Sequence, residues 1–72
     1  PITFVRFENE QPANLGRPYS CDHILEHDGD LYRVTVASRV GAHDVAEATR
    51  MLATYLAGIS ADAPLAMRVR KI

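Results

Sequence analysis

The chain has 72 residues, a mass of 8.0 kDa, 47% hydrophobic and 24% charged residues, which predicts one small domain over 1–72 with a thin core and excludes a disordered chain. No apolar run approaches the ~18 residues of a membrane span, and the first residues show no basic stretch followed by an apolar one. A net charge of −1 gives no whole-molecule pull toward nucleic acid or a membrane, and the single Cys21 excludes an internal disulfide and fits a reducing, cytoplasmic setting.

Residues Ile2 to Phe7 are aromatic and β-branched and predict a strand. Strict alternation sends Ile2 and Phe4 to one face and Val5 and Phe7 to the other. Residues 9–20 hold Pro12, Asn14, Gly16 and Pro18 without periodicity and read as a loop of about a dozen residues, long for so small a domain. The Asp28-Gly29 pair then separates two strand-like runs. It supplies the two positive-φ positions of a type I′ turn, so the register is set: His27 faces Asp30, Leu25 faces Tyr32, His23 faces Val34 and Cys21 faces Val36. These residues form the core face. Asp22, Ile24, Glu26, Leu31, Arg33 and Thr35 form the solvated face, with Arg33 diagonal to Glu26 and Asp22.

Asp44 as N-cap and Glu47 three residues on open a helix over 44–58. Val45, Ala48, Leu52, Tyr55, Leu56 and Ile59 make its apolar stripe, and Gly58 suits the left-handed position beyond its last turn. Ala63-Pro64 is expected to stop the helix, and the alternation of Leu65, Met67 and Val69 with Ala66, Arg68 and Arg70 predicts a last strand over 65–71. The order is β-β-β-α-β. The expected fold is an α+β domain with an antiparallel-rich sheet, one helix packed on one face and the other face open.

Cys21 and His23 share a face about 6.6 Å apart, close enough to share zinc, but His27 lies about 13 Å from His23, so no metal site is expected. Nothing in the sequence activates the Cys21 thiol, and no phosphate-binding glycine loop or dinucleotide fingerprint is present, so no cofactor is expected. The charge pattern is more informative. From Glu8 to Asp30 there are six acids and one base, and from Leu31 onward six bases and three acids. Glu26, Asp28 and Asp30 at the turn, together with Arg33, Arg68 and Arg70, are the expected binding residues, and no catalytic residue is assigned. An acidic turn of this kind steers and orients a protein partner.

Pro1-Ile2 before a strand, and Asp62-Ala63-Pro64-Leu65 leading into Arg68-Val69, resemble the 4-oxalocrotonate tautomerase family. That resemblance implies Pro1 as catalytic base and Arg68 as a carboxylate ligand, although the family has no hairpin between its first strand and helix. The phrase Asp44-Val45-Ala46-Glu47-Ala48 with Leu52, Tyr55 and Leu56 resembles the helix of HicB-type antitoxins, without that family's Pro-Asp-Leu-Pro-Gly motif or DNA-binding tail. The outline of strand, Asp-Gly hairpin, Ala-rich helix and Arg-rich last strand resembles small phage anti-CRISPR proteins, which implies a non-enzymatic inhibitor that blocks a larger complex. A tautomerase-like enzyme, which implies a homo-oligomer, and a small structural subunit of a larger assembly are the alternatives. On the binding reading, reversing charge at Glu26, Asp28 and Asp30 weakens partner binding and leaves the domain folded. Unchanged affinity in a titration against the partner removes the hairpin from the account.

Overall fold

A computed structural model describes residues 1–58 and 63–72. Four antiparallel strands form one open sheet in the order β1-β2-β3-β4: β1 Thr3–Gln11, β2 Tyr19–His27, β3 Asp30–Ser38 and β4 Val69–Lys71. Two helices, α1 Val45–Ala57 and α2 Ala63–Arg68, intervene between β3 and β4, and the main helix α1 packs on one face. This is the expected small α+β fold.

The β2–β3 hairpin carries the predicted turn and register. Asp28 has φ 50° and Gly29 φ 83°, both in the left-handed region, and His27 pairs with Asp30, Leu25 with Tyr32, His23 with Val34 and Cys21 with Val36. The inner face of this hairpin is the centre of the core. Leu25, Tyr32, Val34 and Val36 pack with Val69 of β4 and with Ala48 and Leu52 of α1, and Ile2, Phe4, Met51, Leu56 and Leu65 close the margin. In α1 the Asp44 carboxylate accepts the Glu47 backbone N–H at 2.9 Å, and Gly58 stands at φ 64° beyond the last turn. The apolar stripe differs at its edge: Met51 packs against the core, while Tyr55 is exposed. Ile59, the last member of the predicted stripe, lies outside the described residues.

Strand β1 is longer than predicted and does not alternate simply. Phe4 pairs with Leu25 but Arg6 with Ile24, so Val5 is an extra residue, a β-bulge. The bulge resets the parity and brings Phe7 to the same face as Phe4, with ring centroids 4.6 Å apart, which corrects the opposite-face expectation. A second bulge falls between Glu8 and Gln11, where Asn9 takes φ 51°. Asn tolerates that region better than most residues.

The stretch read as a loop over 9–20 is largely ordered hairpin. Asn14 and Arg17 exchange backbone hydrogen bonds of 3.2 and 2.8 Å around Leu15 at φ 47° and Gly16 at φ 83°, a second type I′ turn. The predicted strand over 65–71 is also corrected. Only Val69–Lys71 pairs, with Val34, Arg33 and Tyr32, and Ala63–Arg68 is helical. Pro64 does not bar this, because the first turn of a helix needs no N–H from it.

Ile24 was expected on a solvated face, yet it is 0% exposed. The register sets Arg6 on one side of it and Arg33 on the other, and long arginine stems cover apolar surface while their charged heads stay in water. The open face thus has its own small core. Ile24→Ala is expected to cost about 2–5 kcal/mol, as much as Leu52→Ala beneath the helix. Urea unfolding monitored by far-UV circular dichroism checks this, and a loss of a few tenths for Ile24→Ala would place that side chain in solvent.

Candidate functional site

The uncovered face of the sheet carries an ordered lattice of charge. Arg6 Nε donates to Glu8 Oε2 at 2.7 Å and Arg33 Nη2 to Glu8 Oε1 at 3.0 Å. Asp22 accepts from Thr35 Oγ1 at 2.7 Å and from Asn9 Nδ2 at 2.8 Å, with Arg33 Nε 3.6 Å away. The hydrogen bond from Arg6, and next that from Arg33, hold the Glu8 carboxyl below its ordinary pKa of 4.5. Arg33 therefore pairs with Glu8 and Asp22, and the expected diagonal contact with Glu26 is absent among the described ion pairs.

Beside this lattice, Arg33, Thr35, Met67, Arg68 and Arg70 line one shallow groove of about 140 Å³. Three of the six expected binding residues are thus brought together. Arg33 and Arg70 stand directly opposite each other across the β3–β4 pair. Like charges in that position destabilise a sheet. Carboxylates meet Arg33 on one side, whereas Arg68 and Arg70 have no ion pair among the described residues. Met67 adds an aliphatic rim that is 86% exposed. An anion with an apolar neighbour is the chemical complement of this groove.

The other three expected residues sit at the β2–β3 turn. Asp30 is paired with Lys71 at 3.3 Å and Asp28 with His27 at 3.3 Å, and Glu26 is exposed without an ion pair among the described residues. The turn is therefore less free to meet a partner than its sequence suggests, because Asp30 already has the Lys71 ammonium and Asp28 has the His27 ring beside it. Pro1 and Arg68, the pair implied by the tautomerase resemblance, belong to opposite edges of the sheet. Three inter-strand spacings, about 14 Å, separate those edges. Asp62 of the same motif lies outside the described residues.

The inner rim holds the remaining reactive groups. Tyr19 Oη donates to Glu10 Oε2 at 2.8 Å, and His43 Nε2 lies 3.5 Å from the same oxygen while its ring stacks on Phe7 at 3.7 Å. Burial pushes both the Tyr19 hydroxyl and the Cys21 thiol up in pKa, which disfavours their ionised forms. Cys21 Sγ is directed to the backbone oxygens of Asp22 and Glu8 at 3.4 and 3.7 Å. Among the described residues no three His, Cys, Asp or Glu side chains gather as metal ligands. Comparison with family models, curated proteins and solved structures finds no match.

Sequence reasoning missed Glu8, Thr35 and Met67. Their convergence follows from the β1 bulge, from the β3–β4 register and from α2, none of which leaves a simple periodic trace.

His23 is 0% exposed and gives this rim a pH dependence. Its Nδ1 lies 3.3 Å from the Cys21 carbonyl and donates to it, which leaves Nε2 as a buried acceptor without a partner. Burial lowers its pKa below 6.5. The folded form thus resists a proton that the unfolded form takes up. Stability is complete above the unfolded value and falls as pH drops from about 6.5 toward the lower folded value. Glu8 adds a separate loss at lower pH, below 4.5. A His23→Leu variant is expected to lose the slope just below pH 6.5 and keep the Glu8 slope. Urea midpoints across that range test this, and an unaltered slope would assign it to another group.

Proposed function

We propose that this chain is a non-enzymatic protein-binding module whose uncovered sheet face receives an acidic segment of a larger partner. The observation that carries the reading is the opposed Arg33–Arg70 pair, joined by Arg68 and rimmed by Met67 in one groove. The mutual repulsion of these guanidinium groups is relieved when a carboxylate enters between them, and bidentate geometry favours arginine for that contact. The Met67 side chain supplies adaptable apolar contact beside it.

The same face argues for a protein segment over a nucleic acid. Glu8, Asp22 and Glu26 share it with the arginines, so a continuous polyphosphate meets repulsion within a few ångströms of the groove. A peptide that alternates acidic, apolar and basic residues does not. Glu26 and the exposed Asp28 then orient the approach, in the manner of charges at an interface rim. Blocking a larger complex with a rigid small sheet is also the mode implied by the anti-CRISPR-like outline, and the reading extends to an inhibitor of that kind.

The test is a native mass spectrum of the protein isolated gently from its own source, followed by titration of the partner so identified. The expected result is a hetero-complex whose affinity falls roughly tenfold or more for each of Arg68→Glu and Arg70→Glu, with circular dichroism unchanged. A bare homo-oligomer, or a complex indifferent to both substitutions, overturns the reading.

A further inference from the structure

The opposite end of the sheet from the Asp28–Gly29 turn has a different chemistry. Leu15 occupies the first left-handed position of its I′ turn, at φ 47°, and is 95% exposed. Asn, Asp and Gly fill that position without strain, whereas a leucine there is held against its backbone preference and displays its side chain to water. Both penalties fall on one residue, and no packing contact offsets them, since Leu15 has almost no buried surface.

Val40, in the connection after β3, is 88% exposed at the same end. The Tyr19–Ser38 pairing sets the two connections side by side, and Gly16, Arg17, Pro18 and Arg39 line a common depression between them. Arg17 and Arg39 have no ion pair among the described residues. Positions 11–18 and 38–43 contain no carboxylate, and the acids that flank them are engaged, Glu10 by Tyr19 and His43 and Asp44 as the cap of α1. The acidic turn lies eight strand residues away along β2, about 27 Å. The molecule is thus polarised along its length, with an apolar, cationic end and an acidic end.

We propose that the Leu15–Val40 end is a peripheral membrane-contact tip that rests on an anionic lipid surface. Two exposed aliphatic side chains on separate connections fit a soft, continuous surface better than a single pocket. The absence of acids there matches anionic headgroups. Leu15 and Val40 reach the headgroup–acyl boundary while Arg17 and Arg39 meet lipid phosphates, an arrangement that gives weak, reversible and salt-sensitive binding. The contact is independent of the arginine groove on the sheet face.

Co-sedimentation of the full chain with equimolar phosphatidylcholine–phosphatidylserine vesicles, against phosphatidylcholine alone, tests the proposal. Binding is expected on the anionic vesicles only and weakens with added salt. Leu15→Asn is expected to reduce it roughly tenfold or more while the thermal midpoint holds or rises, because Asn relieves the left-handed strain. Leu15→Gly is the second variant, since glycine also accepts that backbone. Arg17→Ser with Arg39→Ser is expected to reduce binding by about 30-fold. Absence of binding to anionic vesicles overturns the proposal and leaves Leu15 to a protein pocket. Wild-type binding by both Leu15 variants overturns it too, as does an equal loss in Arg68→Glu with Arg70→Glu, which would assign the attraction to the groove.

Discussion

The register of the central hairpin governs the rest of the molecule. Two consecutive left-handed residues, Asp28 and Gly29, leave a loop of two residues, and a loop that short admits one pairing. Because strand side chains alternate with a period of two, a slip by one residue carries His23, Leu25, Val34 and Val36 to the outside and brings Asp22, Arg33 and Thr35 beneath α1. The helix would then cover charge, and the face that holds the arginine groove would be apolar. A local preference of two residues thus decides which face is core and which carries the arginine groove.

The edge strand β1 serves both faces because it is irregular. Its first bulge, at Val5, sends Phe4 and Phe7 inward together and leaves Arg6 and Glu8 outside. Its second, at Asn9, keeps Glu8 in the outer lattice and lets Glu10 bond Tyr19 on the inner rim. Regular pleating would deliver these residues to the wrong sides. The same bulges, with the charges of Arg6 and Glu8, make β1 a poor template for pairing with another chain, a hazard of an unpaired nine-residue edge.

What was legible in the sequence was what local chemistry decides alone. The Asp28-Gly29 turn, its register, the Asp44 cap and the α1 body each follow from a few adjacent residues, and all stand as read. The misreadings arose where one residue changes the phase or where one pattern suits two structures. Val5 breaks the period of two without an unusual side chain to announce it. Leu65, Met67 and Val69 alternate as a strand would, yet Leu65 packs on the core from a helix while Met67 faces water. Leu15 hid a type I′ turn because leucine is a poor occupant of it. The site was half legible for the same reason. Arg33, Arg68 and Arg70 stood out as charges, but their convergence depends on which three residues of the last segment pair with β3.

Ile24 links the groove to the stability of the sheet. Arg33 covers that buried side chain and also lines the groove, whereas Arg68 and Arg70 belong to a short helix and a three-residue edge strand. The two sets therefore differ in what folding asks of them. Residues 68 and 70 are exposed and pack on no part of the core, so substitutions there reach the groove's charge without opening the hydrophobic interior. A change at position 33, by contrast, also uncovers Ile24 and removes a partner of Glu8. The rim of this groove can thus be remodelled separately from its base, which is part of the sheet's own architecture.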